Sequence, residues 1–420
     1  MAADRTRRIG FVSTRLAETD GVSLETRKWS DVLTGMGHEC FCFAGESDWP
    51  ADRCCVALEA AFWHPEVREL NRLLFGTRVR SPQTSHAIQR IKQHLKSRLR
   101  GFLETFDVDL LIVENALAIP MHVPLGLALT ELIAETGIPT IGHHHDFVWE
   151  RARFWPNAAG EYLRSSFPPI LPSVRHVVIN SLAAEQLALR RGVSSTLIPN
   201  VMDFESPPSE ADGFAADLRS VLDITSEELF VLQPTRIVPR KGIERAIELV
   251  RRLDLPSTLV ISHASGDEGR AYEAHVRSYA ELMSVRLLFA GDLFNHRRQV
   301  VKGREIYALH DAYQLADLVT YPSTVEGFGN AFLEAVYHRR PIVVNRYEVF
   351  RTDIQPKGFE VVAFDGFLTE ETVRQAEAVL RDPALRAQMV ERNYELGQRY
   401  YSYSTLERGL SSLLDGWRTL

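Results

Sequence analysis

Cysteine is scarce in this chain. The four residues Cys40, Cys42, Cys54 and Cys55 fall within sixteen positions of a 420-residue sequence, and none stands beside a metal-type histidine pair. An extracellular disulfide framework is therefore not expected, and the spacing does not suit zinc. No apolar run is long enough to cross a bilayer. The opening segment Met1–Arg8 carries positive charge, but no apolar signal-type region follows it. Positive charge is not in excess either: the net charge is −7 and the pI about 6.1, which argues against a general nucleic-acid binder. The chain also lacks a G-x-G-x-x-G fingerprint, a P-loop and a Gly-x-Ser-x-Gly nucleophile turn. It has no short-period repeat and no low-complexity tract.

What is present is ordinary for a globular enzyme, with 45% hydrophobic and 25% charged residues. A length of 420 residues exceeds what one core usually organises, so two domains are expected. Short apolar runs alternate with helical stretches from Arg8–Thr14 through Gly37–Phe43, Asp109–Val113, Ile138–Gly142, Val177–Asn180 and Ser195–Ile198. The pattern breaks near residue 204, where Pro207-Pro208-Ser209-Glu210 reads as a linker. A second run follows: Phe230–Gln233, Thr258–Ile261, Leu287–Ala290, Leu318–Tyr321 and Pro341–Val344. Each half predicts a doubly wound α/β domain with a parallel sheet, and two such halves create an interdomain cleft, a frequent ligand site. Residues 64–105 form a helical insert. Nine Lys or Arg residues lie between Arg68 and Arg100, with apolar residues at helical spacing. This reads as solvated basic faces on surface helices. A contact with an acceptor or a lipid surface is the alternative, weakened by the acidic whole-chain balance.

Four segments carry chemistry. In Pro322–Ala335, seven residues separate Glu326 from Glu334, and Gly327 and Gly329 lie between them. Glycines let the backbone approach a ligand, and a helix predicted to begin with Asn330 as N-cap offers a seat for a diphosphate. Glu326, in the loop, and Glu334, in the first turn, can accept hydrogen bonds from ligand hydroxyls. In Gln233–Gly242, Arg236 and Lys241 lie five apart across a turn and suit two phosphates, with Arg240 a competitor for either role. Gly142-His143-His144-His145-Asp146 ends a strand, where ligands sit in open α/β sheets. Alternation along a strand lets at most two of the three histidines converge, so no metal site is assigned. His145 with Asp146 reads as a sugar-hydroxyl contact, and His144 and His263 are further candidates for acceptor or sugar contacts. Asp20-Gly21-Val22 places a glycine at a strand-to-helix turn. Asp107-Val108-Asp109 spells D-x-D but precedes a buried strand and reads as a strand entry.

Taken together, these segments resemble the retaining glycosyltransferases of family 4, the glycosyl transferases of group 1, over nearly the whole chain. The Glu326–Ala335 element is the strongest part. Pro199-Asn200-Val201-Met202-Asp203 resembles the family's interdomain Ile-Pro-Asn-Gly-Val-Asp without its glycine. The resemblance implies a GT-B fold: two facing Rossmann-like domains, an acceptor-side one at 1–204 and a nucleotide-sugar-binding one at 205–420, whose last helix packs back on the first. It implies that Glu334 holds the donor ribose and that Glu326, with backbone groups of Phe328 and Gly329 near Asn330, holds the donor sugar. Arg236 and Lys241 would neutralise the diphosphate, Gly21 would approach it, and His145 would touch the transferred sugar. The implied reaction is metal-independent transfer of a hexose, mannose or glucose, with retention. The donor would be GDP-mannose, UDP-glucose or ADP-glucose, the acceptor a small hydroxylated molecule, and the location the cytoplasm. No nucleic-acid partner and no further cofactor are expected. The alternatives are a nucleotide-sugar epimerase or hydrolase of the same fold, or a non-catalytic sugar-nucleotide-binding protein. One departure is that Ser262-His263-Ala264-Ser265-Gly266-Asp267-Glu268 stands where the family usually has a glycine-rich turn.

Overall fold

The computed structural model describes residues 6–17, 20–208, 212–263, 270–295 and 297–417. Ser209 and Glu210 of the linker, and residues 264–268 of the turn that departs from the family pattern, lie outside the described residues. The chain divides into two compact units, residues 1–200 with 404–420, and residues 201–403.

The first unit is built on seven parallel strands. In chain order they are β1 (Arg8–Val12), β2 (Glu39–Ala44), β3 (Cys54–Val56), β4 (Leu110–Glu114), β5 (Thr140–His144), β6 (Val174–Val178) and β7 (Ser195–Leu197). Their order across the sheet is β3-β2-β1-β4-β5-β6-β7. All five residues of β4 are buried. Successive side chains of a strand point to opposite faces, so both faces of the sheet are covered here. The crossover helices include α1 (Gly21–Gly35), α2 (Pro65–Leu74), α3 (Pro82–Phe106) and α4 (Val123–Thr136). Asp20 caps α1, its carboxylate accepting from the Val22 and Ser23 amides at 3.1 and 3.2 Å. Residues 404–417 return to this unit, where Arg175 donates to the Leu413 carbonyl at 3.1 Å and stacks over Trp417.

Helices α2 and α3 are the basic insert. Ser81 caps α3, and Ile88, Ile91, Leu95, Leu99 and Phe102 bury one stripe in the same apolar cluster as Phe41, Phe43 and Leu111. The cations of α3 are held by neighbouring acids. Lys92 and Lys96 reach Glu131 of α4, and Lys96 and Arg100 reach Glu135 at 2.8 and 2.9 Å. Arg90 pairs with Glu66 of α2. The basic charge of the insert is thus largely balanced by acids of the same unit, which supports the reading as helix surfaces. The cysteines depart from expectation: Cys42 and Cys54 form one disulfide across β2 and β3, with Cα atoms 4.5 Å apart. The pairing of these strands places Cys42 opposite Cys54, a register that spacing alone does not reveal. Cys40 and Cys55 are free.

The second unit holds β8 (Leu229–Gln233), β9 (Ser257–Ile261), β10 (Leu287–Phe289), β11 (Phe294–Asn295), β12 (Gln299–Val301), β13 (Arg304–Ala308), β14 (Leu318–Tyr321), β15 (Ile342–Asn345) and β16 (Val362–Phe364). Six of them form a parallel sheet in the order β10-β9-β8-β14-β15-β16, and β11-β13-β12 form a small separate one. Each unit is thus a doubly wound α/β layer, as the alternation of apolar runs and helical stretches predicts.

Buried histidines set an acid limit on this fold. His144 Nε2 and His176 Nδ1 lie 2.9 Å apart, a bond that requires one ring to donate and the other to accept. Burial lowers both, His176 to about 4. Burial likewise takes His122 to about 4. A base whose folded value lies below its ordinary 6.5 supplies stability that is complete above 6.5 and is lost as pH falls toward 4. His122 and His176 each account for about 3 kcal/mol of that loss. The melting temperature is expected to fall already between pH 6.5 and 5, above the range of ordinary carboxylates. A melting temperature flat over that interval would contradict this balance.

Candidate active site

In the second unit, two loops at the C-terminal ends of neighbouring strands meet. The first follows β8 and carries Arg236, Arg240 and Lys241. The second follows β14 and carries Glu326 through Asn330. Glu326 joins them: one carboxylate oxygen pairs with Lys241 Nζ, and the other accepts from Arg240 Nη1 at 2.9 Å. The same Arg240 nitrogen reaches the Val325 carbonyl at 3.0 Å, and the Thr324 amide donates to the Arg240 carbonyl at 2.8 Å. The Glu326 and Lys241 side chains are only 9% and 10% exposed. Burial alone would raise the Glu326 carboxyl. The Lys241 ammonium and Arg240 guanidinium outweigh it and hold the group below its usual range. Burial draws Lys241 down, opposed by Glu326. Lys241 also sits 5.6 Å from the centre of the Tyr321 ring.

Two glycines make this junction possible. Gly242 has φ +59°, and a β-carbon there would meet the Pro322 carbonyl oxygen at 2.6 Å. Gly329 has φ +136°, and a β-carbon there would meet the Tyr347 hydroxyl at 2.3 Å. That hydroxyl donates to the Phe328 carbonyl at 2.7 Å, which latches the loop from behind. The helix spans Asn330–Tyr337 with Gly329 as its N-cap. Asn330 is the first helical residue rather than the cap, and no N-cap side chain covers the helix start. A helix start without a capping side chain favours an anion. Glu334 falls in the second turn, not the first, and accepts from Tyr313 at 2.7 Å. Arg236 is exposed. His263 is half-buried, with Nδ1 3.1 Å from the Ser262 hydroxyl. Burial first, then the nearby Lys241 and Arg236, lower it to about 4.

In the first unit, the ends of β4 and β5 form a second polar cluster. Glu114 is fully buried, and its Oε2 lies 2.9 Å from His143 Nδ1 and 3.2 Å from His145 Nε2. His143 stacks on Trp29 with centroids 4.1 Å apart, and His145 lies 4.4 Å from His143 on the centroids. Burial would raise Glu114, but the imidazoles take it to about 2. Burial would lower His145, but Glu114, with Glu25 and Asp146, raises it. His143 moves the other way, lowered chiefly by burial. The three donor atoms lie within 4.8 Å of one another, a spacing that a divalent cation could also use. His144 turns away from this cluster toward His176, which takes it from the sugar-facing set. Asp146 pairs with Arg151 at 2.6 Å. At Gly21, the start of α1 is already occupied by the Asp20 carboxylate, which Arg15 meets at 3.2 Å. Asp109 of the D-x-D lies at the opposite end of the sheet, against Arg7 and Arg8.

Within the second unit, the structure brings Glu326, Lys241, Phe328, Gly329 and Asn330 onto two joined loops. The sequence reading missed Arg240 as the firm partner of Glu326, Tyr313 and Tyr347 as supports, and Glu114 altogether. Alternation places His143 and His145 on one side of β5, but their partner Glu114 follows only from the pairing of β4 with β5.

Residues 215–396 match the family model for glycosyl transferases group 1. The chain is 32% identical to a mannosylglucosylglycerate synthase of Thermotoga maritima, with 96% of this chain and 99% of that protein covered. It is also 32% identical to a mannosylglucosylglycerate synthase of Petrotoga mobilis, over 84% and 86% of the two chains. Among solved structures, Anabaena Alr3699/HepE in complex with UDP and glucose superposes with TM-score 0.67 at 13% identity, covering 98% of this chain and all of that one. The sucrose-phosphate synthase of Thermosynechococcus elongatus gives TM-score 0.66 at 15% identity, covering 98% and 99%. These two likenesses speak to the fold, while the full-length relatives speak to descent. The chain belongs to the group 1 glycosyl transferases and is a glycosyltransferase of GT-B fold.

Proposed function

We propose that this enzyme transfers a mannosyl group, with retention, from a nucleoside diphosphate sugar to a hydroxyl of a glucosylglycerate-type acceptor. One observation carries the reading: similarity to mannosylglucosylglycerate synthase extends over 96% of this chain and 99% of the relative. The site chemistry supports it. Breaking the bond between sugar and phosphate places charge on the departing diphosphate and leaves an oxocarbenium-like ring. Lys241 and Arg236 neutralise the leaving group, with the helix start at Asn330 and the Phe328 and Gly329 backbone beside it. Glu334 holds ribose hydroxyls. Glu326 grips the donor sugar while its own charge is held by Arg240 and Lys241. In the first unit His145 contacts the transferred sugar, with Asp146 beside it, Gly21 approaches the diphosphate, and His263 of the second unit is a further contact. Leaving-group assistance by the phosphate, rather than an enzyme nucleophile, accounts for retention. The reading takes residues 1–204 as the acceptor side and 205–420 as the donor side. It requires no metal. It places the enzyme in the cytoplasm.

The test is direct incubation with GDP-mannose and glucosylglycerate, followed by mass and NMR analysis of the product and its anomeric configuration. An α-mannosylated acceptor is expected. Transfer only from UDP-glucose or ADP-glucose would overturn the donor, and turnover of donor without acceptor would indicate a hydrolase or epimerase. Lys241→Ala is expected to lower kcat by ~10²–10³ with little change in donor KM. Glu334→Ala is expected to raise donor KM on the order of tenfold, the effect of losing one charge-assisted hydrogen bond. Unchanged turnover in Lys241→Ala would remove the leaving-group role.

A further inference from the structure

The ends of β4 and β5 carry more order than a sugar contact by one histidine requires. Of the three members of the polar cluster, Glu114 and His143 are fully buried and only His145 reaches the surface, at 9% exposure. His145 is fixed in two independent ways, by the last residue of β4 and by the residue that follows it. Through its ring, Nε2 faces Glu114 Oε2 at 3.2 Å. Through its backbone, the His145 amide donates to Asn115 Oδ1 at 3.0 Å, and the Asp146 amide reaches the same oxygen at 3.3 Å. Asn115 itself is in the left-handed region, with φ +61°, a conformation that asparagine tolerates better than most residues. Its own amide donates to the His143 carbonyl at 2.9 Å. Behind the His145 ring lie His143 and then Trp29, so the ring has little room to tilt. A carboxylate on Nε2 also fixes the proton there and leaves the other ring nitrogen for a ligand oxygen.

We propose that Glu114 and Asn115 form a bracket that positions His145 for the sugar, Glu114 setting the ring and Asn115 setting the main chain, and that transfer depends on both. The proposal rests on the reading that His145 contacts the transferred sugar. Glu114 and Asn115 are positioning residues and touch no substrate. Misplacing a contact by a fraction of an ångström is costly when it is made in the transition state. The effect therefore belongs in kcat rather than in donor KM.

A double-mutant cycle on the full chain tests this. Glu114→Gln keeps shape and removes charge. Asn115→Gly keeps the left-handed backbone available and removes the acceptor oxygen. Each is expected to lower kcat on the order of 10-fold to 100-fold, with donor KM within about twofold of the parent. In a His145→Ala background neither is expected to lower kcat further, because both act through His145. Losses that add in that background, or a kcat equal to the parent in both single variants, would overturn the bracket. Should Glu114→Gln fail to fold, Asn115→Gly in the same cycle decides the question. One equivalent of a divalent transition metal in the purified parent protein, absent from Glu114→Gln, would make the cluster a metal site and overturn the proposal as well. A parent enzyme that transfers no sugar would instead count against the proposed reaction and is read out separately.

Discussion

A carboxylate as buried as that of Glu326 stays charged only because two cations sit on it, and the two loops of the second unit are organised around that balance. Removing a charged group from water costs several kcal/mol unless partners repay it. Lys241 and Arg240 repay it here, and in doing so they tie the loop after β8 to the loop after β14. Gly242 and Gly329 let the two loops approach, and Tyr347 holds the second one from behind. The arrangement is preorganised: the charges stand in place before any ligand arrives, so little reorganisation is needed when charge develops.

The first unit solves a related problem with different groups. Its buried charge is Glu114, and imidazoles rather than ammonium and guanidinium compensate it. An imidazole can share or release a proton near neutral pH, whereas a guanidinium cannot. The Glu114 cluster is accordingly the more adjustable of the two, and the Trp29 stack limits where its rings can go.

Much of this was legible in the sequence, and the reasons for success and failure are specific. Alternating apolar runs and helical stretches announced two doubly wound sheets, because buried parallel strands have little choice of composition. The Glu326–Glu334 element is by itself a common pattern and stood out only in combination with the other segments of the chain. The Asn330 cap was misplaced by one position: Gly329 takes the cap with a positive φ, at a place where Tyr347, 18 residues further on, leaves no room for a β-carbon. Glu114 was invisible for a similar reason. A lone acid at a strand end carries no local signal until β4 is set beside β5. The Cys42–Cys54 pair depends on register in the same way.

The charge ladder between α3 and α4 has a consequence for how the enzyme meets its substrate. With Lys92, Lys96 and Arg100 committed to Glu131 and Glu135, those cations add little to the outward field. A molecule of net charge −7 then repels an anionic sugar nucleotide at long range. Around residues 236–241, Arg240 and Lys241 are themselves paired with Glu326, so on the proposed reading short-range attraction falls chiefly to the exposed Arg236, felt only within roughly a Debye length, ~10 Å at ordinary salt. Modest salt therefore eases the approach before it weakens the grip, the reverse of what a basic surface would give.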